Sequence, residues 1–179
     1  FIPPVHMHCK LGQSWSDEIE KRTHGKVKIN YFHSGSLLKG NGIYDGVLKG
    51  VADIGMSCFA YTRGRFPSIE AIDLPLGYPS GKVATCVINE FYKKFRPEEL
   101  NNVKVFYLHA HGPGILHTKK PVYKLEDLKG MRIRSTGFSA KVTEALGAAP
   151  VAMPMGGSYE ALQKGVVEGI FTPIEALKQ

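Results

Sequence analysis

The chain has 179 residues, 43% of them hydrophobic, and a formal charge of +7. That hydrophobic content argues against disorder, and no apolar run approaches the roughly 18 residues needed to cross a bilayer, so the protein is not expected to be membrane-embedded. The basic residues are scattered, without a run of five or more and without an RNA- or DNA-binding motif, which disfavours nucleic acid and leaves a basic protein suited to attracting small anions.

Ser14-x-x-Asp17 predicts a helix start, with Leu11, Trp15 and Ile19 as its apolar face and Thr23-His24-Gly25 as its stop. Residues 26–32 alternate polar and apolar, predicting a strand with Val27, Ile29 and Tyr31 on one face. Ile43, Val47 and Leu48 repeat at helical spacing up to Gly50, and 51–57 reads as a buried strand entering a loop at 57–61, a candidate ligand wall. Turn-rich segments follow at 64–67 and 73–79. A helix is predicted over 83–95, with Val83, Val87, Phe91 and Phe95 as one core-facing stripe. Strands are predicted at 103–108 and 115–118, with a crossing loop at 109–113. The theme then repeats on a shorter scale: strand 131–135, helix 139–146 stopped by Gly147, strand 150–153, helix 158–164, strand 169–171. This alternation predicts an α/β fold with largely parallel pairing and ligands at the carboxyl ends of strands. A crossover near 109–120 divides the chain into a first lobe, 1–118, and a second lobe, 119–179, with the cleft between them as the natural pocket.

Cys9, Cys58 and Cys86 leave at least one cysteine unpaired and lack a zinc-binding spacing. His6 with His8, and His109 with His111, have the two-residue spacing that puts side chains on one face of a strand. No carboxylate or thiol pattern completes a metal site around either pair, and they read as polar residues at strand ends. Neither a metal nor a cofactor is expected. The opening Phe1-Ile2-Pro3-Pro4 has no basic or apolar signal region, which implies either a removed leader or a fragment.

The segment Leu128-Lys129-Gly130-Met131-Arg132-Ile133-Arg134-Ser135, the helix ending at Gly147, the run Pro150-Val151-Ala152-Met153-Pro154-Met155 and residues 159–177 together form a specific pattern. It resembles the second-lobe signature of the solute-binding proteins of tripartite ATP-independent periplasmic (TRAP) transporters, of the dicarboxylate-type DctP family. The resemblance extends through Arg22-Thr23-His24-Gly25-Lys26-Val27, Gly35-Ser36-Leu37, residues 46–54, Asp73-Leu74-Pro75 and the 112–122 segment. It implies a two-lobe, type II periplasmic-binding-protein-like architecture, incomplete here at both ends. It also implies a periplasmic receptor that closes on an organic acid and delivers it to a membrane permease driven by an ion gradient, with no chemistry on the ligand and no cofactor.

Within that resemblance Arg134 takes the place of the arginine that clamps the ligand carboxylate, a role its planar fork suits. Arg132 occupies a slot without a ligand role. Thr172 stands where sialic-acid-type receptors carry a carboxylate-holding asparagine, and it reads equally as a cap ahead of Pro173. Met155 stands where they carry a ligand-packing phenylalanine, and it reads equally as core. Those receptors have polar or acidic residues at the positions of Phe1, Gly40 and Cys58, and a second arginine near Gly114. A pocket of Arg134, Thr172, Met155, Phe171, Ser57, Cys58 and Tyr61 therefore suits a monocarboxylate with an apolar or aromatic body. Two alternatives share parts of this pattern. One is another two-lobe receptor, of an ATP-driven transporter or a transcription regulator. The other is an enzyme using Cys58 with His109 or His111, although GxSxG, phosphate-loop and HExxH motifs are all lacking.

Overall fold

Helices dominate the amino-terminal part of the computed structural model, which describes residues 2–178. Helix α1 (Met7–Arg22) starts well ahead of Ser14 because His6 caps it: the backbone N–H of His8 donates to His6 Nδ1 at 3.1 Å. A histidine cap lies outside the usual Ser, Thr, Asp, Asn set, so the sequence signal pointed to the wrong turn. The predicted apolar face also differs. Cys9 and Ser16 are the buried positions, while Leu11 and Trp15 are exposed. The helix ends as expected, with Thr23 Oγ1 donating to the carbonyl of Ile19 at 2.8 Å and the chain turning left-handed at His24 and Gly25.

Helix α2 (Ile43–Leu48) forms where the apolar spacing places it, and α3 (Pro67–Glu70) begins on a proline, whose missing N–H is harmless in a first turn. Helix α4 (Gly81–Phe95) is capped by Ser80, whose hydroxyl accepts the N–H of Val83 at 3.2 Å. Its buried stripe is Ala84 and Ile88, flanked by Phe91 and Tyr92, rather than the predicted register of Val83, Val87, Phe91 and Phe95; Val83 and Phe95 face outward. The stripe meets Phe66, Ile69, Leu100 and Leu108 in one core. Phe66 sits edge-on to Tyr44 at 4.9 Å and to Phe59 at 4.8 Å, the aromatic geometry that keeps ring edges on ring faces.

Three strands expected in this part, at 26–32, 51–57 and 103–108, do not form; their residues belong to no β-ladder among the described residues. Alternation identifies a face but cannot supply the neighbouring backbone that a ladder requires. In the third segment Val103, Val105 and Leu108 still pack on the core, without a ladder. Helix α4 takes the place of a partner strand there. Asn89 donates to the carbonyl of Leu108 at 2.8 Å, and the Thr85 hydroxyl both donates to the carbonyl of Ala110 at 3.2 Å and accepts its N–H at 2.9 Å. The strand-like reading of the histidine pairs changes too. His6 and His8 belong to the start of α1, and the His8 ring lies 4.4 Å from that of His109, fixing the helix start against the extended segment.

The remainder is sheet and crossover helices, close to expectation. Strands β1 (Ile115–Thr118), β2 (Arg132–Arg134), β3 (Ala149–Val151) and β4 (Gly169–Thr172) form one sheet in the order β1-β4-β2-β3. Strand β2 runs parallel to both β3 and β4, while β1 is antiparallel to β4 and makes the sheet mixed. Helix α5 (Phe138–Ala145) connects β2 to β3, and α6 (Ser158–Gln163) connects β3 to β4. The sheet crosses the expected division at 118/119, because β1 pairs with β4. Ile133 faces a core with Leu128 and Ala148, and Ile170 faces another with Ala161 and Val167. The alternation that separates those faces puts Arg134, paired in register with Ile170, on the second one.

Candidate functional site

Because β2, β3 and β4 are parallel, their carboxyl ends meet at one edge, and Arg134 is the last residue of β2. It is only 4% exposed. Its Nε donates to the carbonyl of Met153, just past β3, at 3.0 Å, and its Nη1 donates to the carbonyl of Phe171 in β4 at 3.1 Å. The guanidinium also hydrogen-bonds the phenol of Tyr61, which comes from the 57–61 loop and itself accepts the backbone N–H of Met155 at 3.1 Å. Burial pushes the guanidinium pKa down, with Tyr61 and Cys58 acting against that shift, yet the group stays cationic at neutral pH. No carboxylate of the described residues forms an ion pair with it; Arg132, in contrast, lies outside with Glu168 at 3.7 Å.

Around this cation the structure gathers most of the residues expected from the sequence. Tyr61 touches it, and burial raises the phenol's pKa, so the hydroxyl is neutral. Cys58 is close enough to feel both Arg134 and Asp73, and burial pushes its thiol pKa up. Thr172 is 4% exposed and its hydroxyl meets the Met155 sulfur at 3.8 Å. Met155 packs partly against the Ala161, Val167 and Ile170 core, so its side chain serves packing while bordering the site. Ser57 is tethered: its hydroxyl donates to the carbonyl of Gly40 at 2.5 Å, fixing the start of the 57–61 loop. Phe171 is not brought together with these residues. Its side chain points to the opposite face of β4 from Thr172 and packs on Leu128, Ile133 and Ala148. What Phe171 contributes at the site is its backbone carbonyl. Phe1 lies outside the described residues.

Two participants had no role assigned from the sequence. Asp73 accepts the N–H of Phe138 at 3.5 Å, and burial of its carboxylate raises the pKa. Gly137 sits opposite, at φ 54° and ψ −132°, where a Cβ would come 2.8 Å from the Cβ of Ala60 and 3.1 Å from Asp73 Oδ2. Asp73-Leu74-Pro75 was visible as a motif, but contact with a residue 65 positions away carries no local signal. Two open hollows, of about 450 and 490 Å³, lie elsewhere, one beside Cys9 and Tyr31 and the other beside Thr85 and His111. Among the described residues no group of three or more His, Cys, Asp and Glu is placed to hold a metal ion, and no helix is long and apolar enough to cross a membrane.

The cysteines give a direct probe of this arrangement. Cys86 is exposed, Cys58 is partly covered with a raised thiol pKa, and Cys9 is buried. Since the thiolate is the reactive form, iodoacetamide at neutral pH is expected to modify Cys86 first and Cys58 at least about tenfold more slowly. Peptide mass spectrometry over time reads the order. Equal rates at Cys58 and Cys86 would contradict the covered position of Cys58.

A family model decides the relationship: that of DctP, the bacterial extracellular solute-binding protein family 7, matches residues 3–179. The chain belongs to the DctP family. Its fold is similar to that of a TRAP periplasmic solute binding protein from Desulfovibrio salexigens, at 42% identity and a TM-score of 0.74, over 99% of this chain and 56% of that one. It is also similar to a TRAP solute binding protein from an unidentified marine microbe, described as specific for aromatic acid ligands and solved with 3-hydroxybenzoate. That match has 33% identity and a TM-score of 0.86, over 99% of this chain and 57% of that one. A monocarboxylate 2-oxoacid-binding periplasmic protein of Nostoc sp. is 28% identical over 162 residues, 84% of this chain and 42% of the relative. The DctP chain described here spans about half the length of the curated relatives it matches.

Proposed function

We propose that this DctP chain captures an organic acid by its carboxylate between two lobes, as part of an extracytoplasmic receptor that passes the acid to a TRAP membrane permease. The lobes correspond to residues 1–118 and 119–179, with β1 reaching into the second lobe's sheet. The observation that carries this reading is Arg134, a cation held at the carboxyl ends of three parallel strands and buried to 4% exposure without a carboxylate among the described residues. A buried charge lacking a partner is costly, so its retention favours an external anion as the partner. Two backbone carbonyls and a phenol hold the fork in place, leaving its remaining N–H donors to receive a carboxylate.

The surroundings favour a monocarboxylate with an apolar or aromatic body. Cys58, Met155 and the Tyr61 ring offer little to a polyhydroxylated ligand, and Gly114 places no second cation. The aromatic-acid receptor and the 2-oxoacid receptor support the same class. In this reading the protein performs no reaction on the acid, uses no cofactor and works in the periplasm. A thermal-shift panel on the full-length protein tests the substrate class. Aryl acids such as benzoate and 3-hydroxybenzoate, or branched-chain 2-oxoacids, are expected to raise the melting midpoint by several degrees at about 100 times Kd. Stabilisation by galacturonate or sialic acid, with no effect of the aryl and branched acids, would overturn it.

A further inference from the structure

We infer that Asp73 reads the end of the ligand distal to its carboxylate, accepting a hydrogen bond from a ligand hydroxyl and excluding acids that carry a second carboxylate. This rests on the proposed capture of an acid by Arg134. Asp73 stands against the turn that immediately follows Arg134: its Oδ2 is 3.5 Å from the N–H of Phe138 and 3.1 Å from where a Cβ of Gly137 would be. Only Ser135 and Thr136 separate Arg134 from Gly137, so both charged groups lie within reach of one small acid.

Cys58 connects the two electrostatically, because its thiol is influenced by Asp73 in one direction and by Arg134 in the other. The cleft wall therefore runs from a cation, past a neutral thiol, to an anion. The Asp73 carboxylate makes one long hydrogen bond, at 3.5 Å, and none of the ion pairs among the described residues includes it. A carboxylate has about four lone-pair sites, so that bond leaves most of its accepting capacity uncommitted; the charged groups acting on it are His111, which opposes the raised pKa, and Glu70, which adds to it. A hydroxyl there gains a charge-assisted hydrogen bond. A second carboxylate there meets like charge with its hydration partly removed, which is unfavourable. Burial already raises the Asp73 pKa, the direction that an added neighbouring anion would extend.

The test is calorimetric titration of the full-length receptor and its Asp73→Ala and Asp73→Asn variants with matched acids. Benzoate is compared with 3-hydroxybenzoate, phenylacetate with mandelate, and benzoate with the dicarboxylate isophthalate. The wild type is expected to prefer at least one hydroxylated acid over its parent by roughly tenfold and to bind isophthalate at least about tenfold more weakly than benzoate. In Asp73→Ala both differences should shrink to within about threefold, whatever change common to all the acids the loss of the contact with Phe138 brings. Asp73→Asn, which keeps a neutral acceptor, should retain part of the hydroxyl preference while losing the discrimination against isophthalate. Unchanged preferences in both variants, or equal loss for every acid, would overturn the role of Asp73 while leaving capture by Arg134 intact. Failure of the wild type to bind any of these acids would instead sink the substrate class on which the inference rests. Melting of the unliganded variants separates misfolding from specificity.

Discussion

Arg134→Ala should reduce affinity for the captured acid by at least about a hundredfold, because truncating one member of a buried charge pair typically costs 2–5 kcal/mol or more. The loss has two parts. The ligand carboxylate would enter a covered site without a counter-charge, and the carbonyls of Met153 and Phe171 would lose the donors that now bind them at 3.0 and 3.1 Å. Arg134→Lys should lose most of the affinity as well. A lysine ammonium is a single point charge and cannot bind the carbonyls of Met153 and Phe171 together while presenting a planar fork to the ligand. Folding should suffer less than binding, since the substitution also removes a buried cation whose desolvation opposes folding. Calorimetry with the acid found by thermal shift, together with melting of the unliganded variants, distinguishes these effects. Affinity retained in Arg134→Lys would show that charge alone, without the fork, is what the ligand recognises.

Gly137→Ala is expected to impair both stability and capture. At φ 54° and ψ −132° a side chain is strained wherever it points, an effect of order 1–3 kcal/mol. The new methyl would also press against Ala60 and Asp73, at 2.8 and 3.1 Å. Ala60 lies in the 59–62 helical turn and Gly137 at the start of α5, so relief of that clash requires these two segments to move apart. That movement pulls the Tyr61 phenol from the N–H of Met155 and from Arg134. The melting midpoint should fall by several degrees, and affinity should fall with it. Gly147→Ala, at φ 81° with nothing near its missing Cβ, provides the control: strain without the clash, hence lower stability but unchanged affinity. Equal affinity in wild type and Gly137→Ala would mean that the close approach of Gly137 to Ala60 and Asp73 is unimportant for capture.

The contrast between the two parts of the chain shows which physics is legible in a sequence. Elements of the second lobe, from β2 to β4, fall within a few residues of expectation because each is short, periodic and bounded by a glycine such as Gly147 or Gly165 with positive φ. The absent strands at 26–32, 51–57 and 103–108 have strand-like composition, and 26–32 alternates clearly, but pairing depends on a second backbone, and at 103–110 side chains of α4 bind the groups that a neighbour would. The start of α1 was missed because a histidine ring does the capping. At the site, a motif could indicate Arg134. It could not indicate what orients it, since the carbonyls of Met153 and Phe171 belong to the backbone and have no residue signature. Phe171 illustrates the same limit from the other side: its ring belongs to a core, while its carbonyl serves the site.

An anchor fastened to main-chain atoms has an evolutionary corollary. Whatever side chains drift into positions 153 and 171, the carbonyls remain, so the aim of Arg134 survives substitutions that would disable an anchor held by other side chains. If Arg134 grips a carboxylate as proposed, substitutions in the facing wall, at Cys58 or Asp73 for example, leave the atoms that hold it untouched. On the proposed reading, such a scaffold can be retargeted to new acids by changing one side of its cleft, without rebuilding the grip on the carboxylate.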